Sequence, residues 1–241
     1  MPALGGNATF EFNETWNPEI WEKKNQGDVK WTNNGTAFTI ARRKDAPYIQ
    51  SSFYLFFGRL EISLRAAHGQ GIISSAILQS ECLDEIDWEF KGGNTTAVAT
   101  NYYGKGNDKI VEGEPARGKD FIMKSPPQDD FHNYTIDWTK ERIQWWVDGE
   151  MLRELKFDEA KGGKEYPQTP MNIRIGAWSG GDKENNLEDT VKWAGGETNF
   201  DDAPWTMMVQ SVYAKDYTSA KTYSWADMDA SGSFEKVKVI A

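Results

Sequence analysis

Asp84-Glu85-Ile86-Asp87-Trp88-Glu89-Phe90 alternates acidic and apolar residues without interruption. A β-strand turns successive side chains to opposite faces, so this stretch places Glu85, Asp87 and Glu89 on one face and Ile86, Trp88 and Phe90 on the other. Three carboxylates then line one surface of a sheet. Like charges side by side on a sheet face repel, and closely spaced carboxylates cannot all ionise freely, so at least one pKa is expected to rise. That is the state a general acid requires.

Outward from this stretch the chain continues as short β-branched or aromatic-rich segments separated by Gly, Asn, Asp and Pro clusters, the spacing of a sandwich or barrel rather than of βαβ units. The pattern predicts strands over Ala37 to Arg42, Gly58 to Ala66, Ile72 to Leu78, Glu85 to Phe90, Val98 to Tyr103, Asn133 to Trp138, Arg142 to Val147, Asn172 to Ala177 and Thr206 to Tyr217. Asp148-Gly149, set between strand-like runs in Trp146-Val147-Asp148-Gly149-Glu150-Met151-Leu152, predicts a tight hairpin. A helical turn is expected within Asp158 to Tyr166, and a loop or short helix within Asp182 to Trp193. No linker, internal repeat or low-complexity tract divides the chain, so residues 1–241 are expected to form one all-β domain.

Composition excludes several classes of function. A net charge of −10 disfavours a polyanion partner, which removes nucleic acid from consideration. Cys82 is the only cysteine and His68 and His132 the only histidines, so neither a disulfide, a redox pair nor a Cys-based zinc site can be assembled. We expect no metal and no cofactor, and take Cys82 as structural. No run of eighteen apolar residues spans a membrane, and Met1-Pro2-Ala3-Leu4-Gly5-Gly6 does not have the pattern of a signal peptide. Five N-x-[ST] sequons, at Asn7, Asn13, Asn34, Asn94 and Asn133, nevertheless point to the secretory route.

Two carboxyl groups roughly 5–5.5 Å apart serve a retaining glycosidase as nucleophile and acid/base. Positions i and i+4 of a strand are separated by about 13 Å of backbone rise, so Glu85 and Glu89 can cooperate only if their side chains lean together across a twisted, concave sheet. Asp87 lies between them and can hydrogen-bond either, orienting the nucleophile and helping to hold the other acid protonated. An exposed strand carrying charges on its wet face would show the same string. Eleven tryptophans and nine tyrosines favour the glycosidase reading, because flat amphipathic rings stack on sugars, although many must also serve the core.

Glu85-Ile86-Asp87-Trp88-Glu89 resembles the E-x-D-x-E signature of family 16 of the glycoside hydrolases. Phe57-Gly58-Arg59-Leu60-Glu61, with Gly69-x-Gly71-Ile72-Ile73-Ser74-Ser75, resembles the strands that precede that signature. Thr100-Asn101-Tyr102-Tyr103-Gly104-Lys105-Gly106 resembles the strand that follows it. Phe131-His132-x-Tyr134-x-Ile136-Asp137-Trp138, the Trp146-Val147-Asp148-Gly149 hairpin and Trp193-Ala194-Gly195-Gly196-Glu197-Thr198 extend the likeness from about Phe53 to Tyr217. Asn101 to Gly106 and Trp193 to Thr198 are similar in particular to the fungal Crh-type transglycosylases, which join chitin to β-glucan.

The resemblance implies a β-jelly-roll sandwich of two curved antiparallel sheets, with a substrate cleft across the concave face. By matching positions it implies Glu85 as nucleophile, Asp87 as helper and Glu89 as acid/base. It further implies Glu61, Gln79, Asn101, Tyr103, Trp178 and Trp193 as cleft residues. The expected activity is a retaining transglycosylase that cleaves a β-1,4-linked chitin donor and transfers it to β-glucan or chitin, acting as a monomer in the cell wall. An endo-β-glucanase of the same family and a non-catalytic glycan-binding jelly-roll are the alternatives. The Ser/Thr-rich tail, lipid-anchor signal and N-terminal cysteines usual in the fungal family are not legible in this chain, which puts membrane anchorage in doubt for this molecule and leaves the implied cleft untouched.

Overall fold

The computed structural model describes residues 1–13, 16–107, 109, 116–225 and 231–241, and among them the alternating segments pair into two large sheets. One sheet runs β13 (Glu150–Lys156), β12 (Arg142–Val147), β11 (His132–Trp138), β6 (Gly58–Arg65), β15 (Trp205–Asp216), β4 (Gly35–Ile40) and β3 (Asp28–Thr32), with β1 (Asn7–Glu11) also paired to β15. The other runs β10 (Lys119–Ile122), β9 (Ala97–Tyr103), β8 (Glu85–Lys91), β7 (Ile72–Ser80), β14 (Met171–Ser179), β5 (Tyr48–Ser51) and β2 (Trp21–Lys24). A small third sheet pairs β16 (Thr222–Ser224) with β17 (Lys238–Ile240). Every strand ladder among the described residues is antiparallel.

The core lies between the two large sheets, and the period-two pattern decides which residues enter it. Leu60, Ile62 and Leu64 of β6 are buried, as are Tyr134, Ile136 and Trp138 of β11 and Ile86, Trp88 and Phe90 of β8. Burying a large apolar side chain contributes about 1.5–3 kcal/mol, so each strand is held chiefly by its inward face. Trp88 and Phe90 meet Tyr134 of the opposite sheet, with ring centroids 5.5 and 4.6 Å apart. Two indole N–H groups bridge the layers: Trp88 donates to the Thr135 carbonyl at 3.3 Å and Trp145 to the Asp87 carbonyl at 3.1 Å. The backbone beneath the acidic face is therefore fixed from below by buried tryptophans.

The hairpin lies where Asp148-Gly149 predicts it, between β12 and β13, with φ of 50° at Asp148 and 81° at Gly149. Both central residues of a type I′ turn need positive φ, which Asp tolerates and Gly adopts freely. All nine predicted strands form, most within a residue or two of the expected ends. β1, β2, β3, β5, β10, β16 and β17 were not expected. They are three to five residues long. β2, Trp21-Glu22-Lys23-Lys24, and β10, Lys119-Asp120-Phe121-Ile122, are charge-rich edges whose pairing is decided by the neighbouring strand rather than by their own composition. The expected helical turn is a short 3₁₀ turn at Phe157–Glu159, and the second segment carries one six-residue helix, α1 (Glu188–Trp193).

Of the sequon asparagines, Asn7, Asn13 and Asn34 are exposed, and Asn94 and Asn133 are half-buried. The remainder of the Asn13 sequon lies outside the described residues. No helix among the described residues is long and apolar enough to cross a membrane.

Candidate active site

β8 is an inner strand of the seven-stranded sheet, and its outward face carries Glu85, Asp87 and Glu89 as the alternation requires. Register brings the neighbours to the same face. Gln79 and Ser75 of β7 stand opposite Glu85 and Glu89, and Tyr103, Asn101 and Ala99 of β9 stand opposite Glu85, Asp87 and Glu89. β14 adds Asn172 opposite Gln79 and Trp178 opposite Ile73.

Asp84 explains why β8 begins where it does. It is fully buried, and its carboxylate accepts the backbone N–H groups of Lys105 at 2.8 Å, Gln168 at 2.8 Å and Thr169 at 3.0 Å, and the Thr169 hydroxyl at 2.7 Å. One side chain thus ties two loops to the strand start. Ser80 Oγ accepts the N–H of Cys82 at 3.1 Å and of Asp84 at 3.0 Å, closing the turn that reverses β7 into β8.

The acids differ in their surroundings. Burial pushes the Asp87 carboxyl well above the ordinary carboxylate range, reinforced by the charges of Glu85 and Glu89 and by a side-chain hydrogen bond with Glu85. Asp87 Oδ1 is buried and has no partner among the described residues. A neutral Asp87 that donates to Glu85 satisfies both observations. Glu89 is pushed up to about 7, first by burial, then by the charge of Glu85, with Asp120 raising it further and Lys91 opposing. Two carboxyls are therefore held toward the protonated state beside Glu85, to which the Gln79 side-chain amide donates through Nε2.

Asn101 Nδ2 donates to the Tyr103 hydroxyl at 2.8 Å, and its Oδ1 accepts the N–H of Tyr102 at 2.9 Å. Burial and then the charges of Asp87, Glu89 and Glu85 push the Tyr103 phenol up to about 12, so it stays protonated beside the acids. Arg117 lies over the Tyr103 ring at 5.1 Å. At the far end of the face Trp178 and Trp193 stack, with centroids 6.2 Å apart and planes 16° apart, and Lys91 Nζ lies 5.4 Å from the centre of the Trp193 ring. A depression of about 240 Å³ runs along the same face, lined in part by Tyr48, Ser75, Gln79, Arg174, Gly176 and Trp178.

Eight of the nine site residues expected from sequence thus share this neighbourhood. Glu61 does not. It lies on the outward face of β6, in the other sheet, where Arg59 Nε donates to it at 2.6 Å while Arg59 also pairs with Asp137 at 3.1 Å. The resemblance implied Glu61 as a cleft residue, but β6 pairs with β11 and β15 and the chain crosses to the opposite layer before β7, so Glu61 stands on the other sheet from the acids.

Sequence reasoning missed Asp84, Lys91, Asp120, Asn172 and Arg174. Lys91 continues the outward alternation of β8 and was findable from it. Arg174 and Asp120 become relevant only through cross-strand pairing, which carries no local signal. Cys82 is half-buried, and burial together with Asp84 and Glu81 pushes its thiol up, away from nucleophilic use. Among the described residues no group of three or more His, Cys, Asp or Glu is arranged to hold a metal ion.

The sequence model of Glycosyl hydrolases family 16 matches residues 11–195, a span that includes the whole acidic strand. The chain belongs to this family. It is similar to Crh-like protein 2 of Botryotinia fuckeliana, 45% identical over 100% of this chain and 52% of that protein. It is equally similar to a Crh-like protein of Arthroderma benhamiae, 45% identical over 99% of this chain and 63% of that one. The chain thus spans about half to two thirds of the curated relatives it matches. A solved structure of Crh5 transglycosylase in complex with NAG superimposes with a TM-score of 0.91 at 41% identity, covering 99% of this chain and 95% of that one.

Proposed function

We propose that the chain is a catalytic unit of a cell-wall transglycosylase, which cleaves a β-1,4-linked chitin donor and transfers it to a β-glucan or chitin acceptor. The observation that carries the reading is Glu89, pushed up to about 7 on the same strand face as Glu85. Homology to Crh-type proteins supports the substrate class.

In the first step the Glu85 carboxylate attacks the anomeric carbon as the bond from that carbon to the leaving oxygen breaks, and the Glu89 proton passes to that oxygen. A glycosyl ester on Glu85 results. In the second step Glu89, now a carboxylate, takes the proton of an acceptor hydroxyl, whose oxygen displaces Glu85 from the anomeric carbon and restores the starting configuration. Asp87, neutral, donates to Glu85 and steadies its orientation. Asn101 and Tyr103 contact the sugar beside the acids, and Gln79 orients the nucleophile.

Trp178 and Trp193 supply a flat apolar platform along the depression, and a sugar hydroxyl held against it competes with water for the glycosyl ester. We take the outward face of the seven-stranded sheet as the concave wall of the cleft, because inclining Glu85 and Glu89 toward each other needs an inwardly curved strand. The unit acts as one domain and a monomer at the cell wall.

The test incubates the protein with a chitin oligosaccharide and a labelled β-1,3-glucan oligosaccharide and sizes the products by mass spectrometry. Hybrid chains should form, and Glu85→Gln should suppress them by on the order of 10³-fold or more. Shortened chains alone would make the protein a hydrolase, and full activity in Glu85→Gln would remove the nucleophile assignment.

A further inference from the structure

We propose that Arg174 is a positioning residue that locks the Gln79 amide in the one orientation whose N–H group donates to Glu85. This rests on the assignment of Glu85 as nucleophile. A side-chain amide has a donor end and an acceptor end of nearly the same shape, so its orientation is chosen by its partners. Arg174 can only donate, and its guanidinium NH1 donates to Gln79 Oε1, while Gln79 Nε2 donates to Glu85 Oε2. An ionised carboxylate can only accept. The chain from Arg174 through Gln79 to Glu85 therefore runs in one direction, and a flipped amide would set its oxygen against the carboxylate.

The guanidinium is itself held in place. Its Nε donates to Asn172 Oδ1 at 3.1 Å, and Asn172 is fully buried on the same strand, opposite Gln79 in the β7–β14 ladder. Among the described residues Arg174 forms no ion pair, so both of these contacts go to amide oxygens and none to a carboxylate. That pattern suits orientation rather than charge neutralisation.

The chemical consequence falls on Glu85. Around it lie Asp87 and Glu89 on its own strand and Tyr103 opposite it on β9, all acids, while β7 contributes the neutral Gln79. A donated N–H stabilises the ionised carboxylate. Losing that donation frees the Glu85 carboxylate to turn away from the anomeric carbon, so the cost falls on kcat rather than on KM.

The experiment compares the pH dependence of kcat and KM for the wild type, Arg174→Ala and Arg174→Lys, using a chitin oligosaccharide donor and a labelled β-1,3-glucan oligosaccharide acceptor. Arg174→Ala should lower kcat/KM about 10- to 100-fold, through kcat and not KM, with the basic limb that reports Glu89 unmoved. Arg174→Lys keeps a donor for Gln79 Oε1 and should recover most of the loss. If Arg174→Ala does not fold, Arg174→Gln is read in the same way. An unchanged kcat, or a loss confined to KM, overturns the proposal. Glu85→Gln is run alongside: activity in that variant removes the nucleophile reading, whereas an inactive Glu85→Gln beside an unaltered Arg174→Ala profile removes only the positioning role.

Discussion

Lys91 Nζ stands 3.3 Å from Asp120 Oδ2, and the two charges act on Glu89 in opposite directions, Asp120 raising its pKa and Lys91 lowering it. Since Glu89 is pushed up to about 7 and must be protonated to act as the acid, kcat/KM should fall above about pH 7. Asp120→Asn removes a raising charge and should move that basic limb to lower pH. Lys91→Met removes a lowering charge and should move it to higher pH. Both shifts are read from a pH series on oligosaccharide substrate, and parallel movement of the two variants would show that Glu89 is not the group observed.

Asp87 and Glu89 also link stability to pH. A carboxyl whose folded pKa is raised contributes its stability fully below the unfolded pKa, and that contribution is lost as pH rises through the folded value. For Glu89 the window runs from its ordinary 4.5 to about 7, and for Asp87 it extends upward from 3.8. Tm should therefore decline across this range. Asp87→Asn, neutral at every pH, should flatten the decline and gain on the order of 1 kcal/mol at pH 8, about 2–4 °C in Tm. Calorimetry at several pH values checks this, and a Tm profile identical to wild type would contradict it.

Trp178 and Trp193 form the aromatic end of the face and are only half-buried, so truncating either should cost binding more than folding. Trp178→Ala and Trp193→Ala should each raise KM for a chitin oligosaccharide about tenfold, equivalent to about 1.4 kcal/mol, with little change in Tm. An unchanged KM in both would place the sugar elsewhere.

Asp84 is fully buried and accepts four hydrogen bonds, so it belongs to the architecture rather than the chemistry. Asp84→Ala leaves those donors without their acceptor and should cost about 3 kcal/mol in urea unfolding. Activity per folded molecule should fall as well, because the start of β8 loses its anchor. A loss below about 0.5 kcal/mol would show that the loops hold without it.

The placement of Glu85, Asp87 and Glu89 on one face was legible because face allocation in a strand depends only on the parity of residue number. The Asp148-Gly149 turn was legible for an equally local reason, the positive φ at both residues. Glu61 shows where locality ends: it also alternates correctly in its strand, yet that strand lies in the other layer. The short strands β2 and β10 were hidden because ladder bonds from β5 and β9, not their own side chains, make them extended.

By itself the sequence determined that three carboxylates share one side of a strand with Ile86, Trp88 and Phe90 beneath them, since that follows from backbone geometry alone. Only the tertiary structure decided what those carboxylates are chemically. Burial raises Asp87 and Glu89, register brings Gln79 to Glu85 and Arg174 to Gln79, and a helix end sets Trp193 against Trp178. Desolvation and cross-strand pairing are properties of what packs around a residue, and residues far apart in the chain supply that surrounding.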